Sequence, residues 1–292
     1  MSFAAPMPSP TPSARRRDAD EYVLGTGVDE AFRLGLQHRL WSGSAHALWE
    51  MARVQPGSVV LDLGCGPGHA TVDLAQIVGA TGHVTGIDES PAFLKQLNEE
   101  AHARRLTNVE RVLGDVQDLD AAMPGHDGAV DVAYARWVFC FLEKPEAVVK
   151  GVHRLLKPGG RVVVQDYFNY ELGMTLAPRR EMFSRVVRAI AHSWRSRGGD
   201  PDIMGTLPRL MQRHGFEIQH MDVHQRIARP GSTLWHWPDT FYRNFVPKLV
   251  EDGLVSHAEA AAFFEEWRHA AKDPASFVLL PPVFDLVAVK TV

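Results

Sequence analysis

The sequence predicts a doubly wound α/β fold, a mostly parallel sheet with helices on both faces. Three observations carry that expectation. β-Rich apolar runs alternate with helical segments between Ser58 and Gln165, the connections are short, and the runs are apolar nearly throughout. Strands covered on both faces read this way, whereas a half-exposed sheet alternates apolar and polar residues.

Taken in order, residues 1–20 carry prolines at positions 6, 8, 10 and 12 and then a basic run. No continuous helix can form there, no apolar segment follows a charged start as in a secretory signal, and the composition is that of a disordered tail. From Asp29 to Val54 apolar residues recur at helical spacing (Phe32, Leu36, Leu40, then Ala47, Leu48, Met51). Two amphipathic helices are expected, interrupted near Ser42-Gly43-Ser44. A strand over Ser58–Leu63 runs into a glycine cluster, and a helix over His69–Val78 stops at Gly79. His83–Ile87 is the next strand, and Ser90-Pro91 opens a helix to about Arg104 as cap and first-turn residue. Strands over Val109–Leu113 and Val130–Ala135, a helix over Pro145–Leu156 and a strand over Arg161–Gln165 complete the regular part. Beyond it come a long helix over Pro178–Arg195, a short one over Leu207–His214, and a strand over Phe216–Val223. An aromatic-rich helical insert and a last strand over Phe284–Val289 follow. The organisation expected is a tail (1–20), an N-terminal helical cap (21–54), an α/β core (55–229), a helical insert (230–276) and a final core strand within 277–292.

Composition narrows the function. Hydrophobic residues make up 45% and charged residues 23% of 292, which suits a soluble globular protein with a sizeable core. The net charge of −4 lacks the basic excess that a sequence-independent grip on nucleic acid requires. No apolar run approaches the roughly 20 residues that cross a bilayer. Cys65 and Cys140 are the only cysteines, too few for a disulfide framework, so a cytoplasmic home is expected.

The sharpest chemical signal is Val60-Leu61-Asp62-Leu63-Gly64-Cys65-Gly66-Pro67-Gly68, a strand that turns abruptly into a helix. Glycines let the backbone bend and let a ligand approach where a Cβ would collide, while the helix start offers unpaired N–H groups. The spacing is G-x-G-x-G, with His69 where the dinucleotide pattern G-x-G-x-x-G has its last glycine, and this points away from NAD. Asp88 ends the second strand, where a carboxylate can accept from two ribose hydroxyls, and Glu89 follows it. After the third strand comes Gly114-Asp115-Val116, an acid for an exocyclic amino group and an apolar neighbour for a purine face.

The stretches LDLGCGPGHA, GIDES, GDVQDLD, VDVAYARWVFCFL and RLLKPGGRVVVQD together resemble the class I S-adenosylmethionine-dependent methyltransferases over Gln55–Asp166. The resemblance implies a Rossmann-like sheet of seven strands with the last antiparallel, and S-adenosylmethionine as cofactor. It implies that Gly64, Cys65 and Gly66 line the methionine part, and that Asp62 supports the loop and the donor amino group. By the same likeness Asp88, with Glu89 beside it, holds the ribose, Asp115 and Val116 face the adenine, and Arg136 lies beside the donor. The helical start is similar to the cap of many small-molecule methyltransferases, with Tyr22, Gln37 and Trp41 as its contacts. The segment after the fourth strand looks like the ubiquinone/menaquinone methyltransferase-like group. Relatives often carry a histidine there, however, and this chain has Phe139-Cys140-Phe141.

Candidates for the acceptor site come from three places. Tyr167 and Tyr170 follow the fifth strand, and Trp235, Trp237 and Tyr242 sit in the insert as either a lid or core packing. On the helix over Pro178–Arg195, Phe183, Val187, Ile190 and Trp194 form an apolar stripe, while Arg185, Arg188, His192 and Arg195 form a basic one. The basic stripe is either a solvated face or the border of a cavity for an anionic molecule. His220 and His224 fall on a strand, which separates them by about 13 Å, and no metal is expected. The partner expected is a small-molecule acceptor, without nucleic acid or membrane; the oligomeric state stays open, a homodimer included. The competing readings are a nucleic-acid methyltransferase, an aminopropyl transferase on the same fold, and a non-catalytic donor-binding protein.

Overall fold

The computed structural model describes residues 28–291. In chain order the elements are α1 (Val28–Met51), β1 (Val59–Leu63), α2 (His69–Val78), β2 (His83–Asp88), α3 (Pro91–Ala103), β3 (Val109–Leu113), α4 (Leu119–Ala122) and β4 (Val130–Arg136). Then come α5 (Pro145–Leu155), β5 (Leu156–Tyr167), α6 (Tyr170–Gly173), β6 (Thr175–Ala177), α7 (Glu181–Ser196), α8 (Leu207–Arg213), β7 (Phe216–His224) and β8 (Ile227–Ala228). The chain ends with α9 (His236–Glu251), α10 (His257–Lys272), β9 (Phe277–Leu279) and β10 (Val283–Lys290).

Seven strands form one sheet in the order β3-β2-β1-β4-β5-β10-β7. β1 pairs in parallel with both β2 and β4, so the winding reverses between β1 and β4. Only β10 runs antiparallel to its neighbours, β5 and β7. A crevice opens at the carboxyl ends of the strands where the winding reverses, and in open α/β sheets ligands bind there.

Both sheet faces are packed. On one side Leu48 and Trp49 of α1 and Leu74 of α2 lie with Val60, Tyr134 and Val163 of the strands. On the other, Val148 and Val152 of α5 and Phe183 and Ile190 of α7 join Leu61, Val164 and Leu286. Burying each such side chain contributes about 1.5–3 kcal/mol.

Three expectations need correction. The two cap helices are one continuous helix, α1. Ser42 and Ser44 turn their hydroxyls back onto the carbonyls of Arg39 and Trp41, and Gly43 lies where a Cβ would meet nothing within 4 Å. Burial of Trp41, Ala45, Leu48 and Trp49 carries the helix through a stretch whose glycine costs only about 1 kcal/mol. β5 is also longer than expected, starting at Leu156. Finally, the segment expected to hold only the last core strand divides. β9 enters a second sheet, β6-β9-β8, whose strands of two or three residues are too short to show a period.

Candidate functional site

The glycine turn connects β1 to α2 with Gly64, Gly66 and Gly68 all at positive φ. At Gly68 the reason is packing, since a Cβ would stand 2.3 Å from Leu97 Cδ1. Gly66 differs. Its φ is +56° and an added Cβ would meet nothing within 4 Å, so the backbone is bared to open space. The loop is braced from β2, where Asp88 accepts from Gly66 N–H at 2.8 Å and from Ser90 N–H at 2.9 Å. Burial pushes the Asp88 carboxyl up to about 6, against the two backbone bonds that lower it.

Asp62, at the end of β1, is 2% exposed and accepts from Thr71 Oγ1 at 2.6 Å. Burial raises it to about 7, although Thr71 and the nearby Arg136 pull the other way. Arg136 ends β4 and donates through Nη2 to His38 Nδ1 at 2.9 Å; its Nη1 is buried with no partner among the described residues. Because arginine can only donate, His38 accepts on Nδ1 and carries its proton on Nε2, which reaches Asp73 Oδ2 at 2.9 Å. α1, α2 and β4 are thereby tied together. His69 lies 5.7 Å from the His38 ring, and burial first, then His38, lower it to about 4.

Asp62, Arg136, His38 and His69, with Gly64 and Gly66 of the turn, line one end of a cavity of about 1000 Å³, open mouth included, at the upper end of the usual range for ligand sites. Of the residues expected from the sequence, Gln37, Asp62, Gly64, Cys65, Gly66 and Arg136 line that end, and Tyr167, Tyr170 and Trp237 line the rest. Trp237 Nε1 donates to Gln37 Oε1 at 2.8 Å, joining α9 to the cap helix. Two residues hold left-handed backbone without being glycine at or next in sequence to the lining: Trp137 in the wall at φ +53°, and Asn169, which precedes the wall's Tyr170, at +60°. Such strain persists where the surroundings impose it and concentrates at functional sites.

Other expected residues stand elsewhere. Asp88, Glu89, Asp115 and Val116 lie outside the cavity lining, at the carboxyl ends of β2 and β3 on the same sheet edge. Asp115 is exposed and accepts from Gln117 N–H, while Val116 is buried. Trp41 is buried behind the wall, edge-on to Trp137 and Trp237, and does not line the cavity. Trp235 stacks on Trp267 at 4.2 Å, and Tyr242 bonds the Met174 sulfur; both are packing rather than lid. The basic stripe does not line this cavity. Arg188, His192 and Arg195 are exposed, and Arg195 is held by Glu171 and Asp202. The apolar stripe is what turns inward, and Trp194 of that stripe reaches the wall. Tyr22 lies outside the described residues.

Arg33, His38, His69, Trp137, Trp194 and Phe241 also line the cavity, and reasoning from sequence missed them as site residues. One signal was present for Arg33. Glu30, Arg33 and Gln37 share a helix face at spacings of three and four, and the structure bonds Arg33 to both partners. Nothing in local spacing marks Trp137 or Phe241.

A family model described as a methyltransferase domain matches residues 55–203. The chain is similar to an arsenite methyltransferase of Halobacterium salinarum, 36% identical over 145 residues covering 49% of this chain and 35% of that protein. It is similar also to a demethylmenaquinone methyltransferase of Listeria welshimeri, 34% identical over 128 residues covering 41% of this chain and 52% of that one. The chain thus spans a third to a half of the length of these curated relatives. The YcgJ protein of Bacillus subtilis shares the fold at a TM-score of 0.60 and 14% identity, over 86% of this chain and 99% of that chain.

Proposed function

The chain belongs to the methyltransferase-domain family, and from that premise we propose that it transfers a methyl group from S-adenosylmethionine to a small-molecule acceptor. The observation that carries this reading is the bared backbone at Gly66, which opens into a cavity whose far walls are aromatic. When bound, S-adenosylmethionine supplies an electrophilic methyl group, the S–C bonding pair staying on sulfur as an acceptor lone pair forms the new bond.

The residues fit such a donor. Asp62, held near 7 by burial, gains its charge readily beside a donor ammonium group. The unpartnered Nη1 of Arg136 remains for an anionic or polar ligand group. Gln37 Oε1 is taken by Trp237 and Arg33, so its amide N–H groups are what remain for a ligand. Asp88 spends one acceptance per oxygen on backbone, and a carboxylate with about four acceptor sites retains two for ribose hydroxyls. Asp115 and Val116 extend that edge toward the purine, with Glu89 beside Asp88. Glycine loop and aromatic wall position the reactants and exclude water, the main work in a direct displacement.

Nucleic acid is not the acceptor on this reading, given the net charge of −4. No helix among the described residues is long and apolar enough to cross a membrane. Cys65 and Cys140 are free and buried, which suits the reducing cytoplasm we assign. Calorimetry should show S-adenosylmethionine and S-adenosylhomocysteine binding and NAD silent. NAD binding tighter than the sulfonium would overturn the assignment.

A further inference from the structure

Arg136 is a half-buried guanidinium in the cavity wall, and among the described residues it makes no ion pair. Its one hydrogen-bond partner there is the ring of His38, and it lies over the Trp137 ring at 5.2 Å. Its second terminal nitrogen, Nη1, is buried with no partner. A guanidinium drawn out of water normally meets a carboxylate or a phosphate. Asp62 feels the Arg136 charge, but its hydrogen bond goes to Thr71. A carboxyl that gains charge beside an ammonium and a guanidinium that lacks an anion together match an α-amino acid. The methionine end of S-adenosylmethionine is such a group.

What holds Arg136 is a relay that starts on α2. Asp73 engages His38 Nε2 at 2.9 Å, and a carboxylate only accepts, so Nε2 carries the proton and Nδ1 accepts from Arg136 Nη2. Burial pushes the Asp73 carboxyl up, but the bonds from His38 and His46 outweigh it and leave it below its ordinary value. Arg104 stands 3.6 Å from the same carboxylate. On the other side the His69 ring stacks on His38 at 5.7 Å, lowered to about 4 by burial and then by His38. At neutral pH it therefore adds no positive charge beside Arg136.

We propose that His38 is a positioning residue for the donor: with Asp73 fixing its tautomer, it holds Arg136 so that Nη1 meets the donor carboxylate while Asp62 meets the ammonium. This rests on the methyl-transfer reading, which gives the glycine end of the cavity to the donor. The same relay ties the cap helix α1 to α2 and β4, so reading the carboxylate requires the cap in place.

Two amides separate the two bonds of the histidine. Asparagine places its carbonyl oxygen at the δ position, where it still accepts from Arg136, and gives up Asp73. Glutamine places its amide nitrogen at the ε position, where it still donates to Asp73, and gives up Arg136. Calorimetry on the full chain compares S-adenosylhomocysteine with its decarboxylated form, which keeps the amine and lacks the carboxylate. The parent should prefer S-adenosylhomocysteine by at least about tenfold. His38→Gln should weaken S-adenosylhomocysteine about tenfold and move the decarboxylated form by no more than about twofold. His38→Asn should bring S-adenosylhomocysteine back to within about threefold of the parent. Parent-like S-adenosylhomocysteine affinity in His38→Gln would overturn the positioning role. An asparagine variant as weak as the glutamine one would overturn it too, by placing the effect in the tie to Asp73. Loss of both ligands together in His38→Gln would reduce His38 to a structural part of the cap. If the parent binds the two ligands equally, this inference falls and the donor assignment stands; if it binds neither, the donor assignment falls and takes the inference with it.

Discussion

Adding one methyl group at Gly66 separates a ligand site from an ordinary turn. Gly66 has φ +56°, and its new Cβ would meet nothing within 4 Å. Gly66→Ala therefore costs only the left-handed strain of an L-residue, about 1–2 kcal/mol. At about 2–4 °C per kcal/mol for a chain approaching this size, the melting temperature should fall by about 2–8 °C. S-Adenosylhomocysteine affinity should fall by more, at least about tenfold or 1.4 kcal/mol, because the methyl fills space assigned to the donor. Gly253→Ala is the control. Its φ is +70° and it too has open space, but it does not line the cavity. It should share the melting loss and keep full affinity. Gly68→Ala is the opposite case, since its Cβ would press on Leu97 at 2.3 Å. Overpacking adds about 1–3 kcal/mol to the strain, and stability should suffer first. Scanning fluorimetry and calorimetry on the three variants give both quantities. If Gly66→Ala melts as expected but binds S-adenosylhomocysteine like the parent, the space over Gly66 belongs to solvent and the loop assignment fails.

Asp62→Asn tests the buried carboxyl. A folded-state value near 7 against an ordinary 3.8 means that its contribution to stability is complete below about 3.8 and is lost as pH rises toward 7. Asparagine still accepts from Thr71 and has no charge to bury, so without donor the variant should gain on the parent between pH 4 and 8, by a few kcal/mol at most. Parallel melting curves across that range would refute the burial account. Asp88→Ala should weaken S-adenosylhomocysteine by about 1.5–3 kcal/mol, the usual worth of a charged hydrogen bond. It should also lower stability, because Gly66 N–H and Ser90 N–H lose their acceptor; an unchanged dissociation constant would reduce Asp88 to a brace. Arg188→Ala should leave the Michaelis constant of any identified acceptor unaltered at low and high salt, as Arg188 is exposed on the face of α7 away from the cavity. A rise confined to low salt would restore the basic stripe to the site.

The sequence by itself determined what depends on neighbours along the chain. His69–Val78 and Val109–Leu113 fall as helix and strand at the residues expected, because the apolar period and the glycines that follow each element, Gly79 and Gly114, are local signals. The glycine turn, and Asp88 and Asp115 on one sheet edge, were legible for the same reason: alternating strands and helices place every strand end on that edge, while Asp62 was marked only by the family resemblance. Tertiary structure decided the rest. Ser42-Gly43-Ser44 breaks a helix on propensity, yet α1 runs through it because Trp41 and Ala45 are buried against the fold on either side. Trp235 and Trp237 are two residues apart and equally aromatic, but one stacks on Trp267 and the other bonds Gln37, 200 residues away. The cavity wall is assembled from α1, the ends of β1, β4 and β5, α7 and α9. Which face of each helix reaches it depends on long-range packing, and a periodicity common to both faces of a buried helix cannot encode that choice.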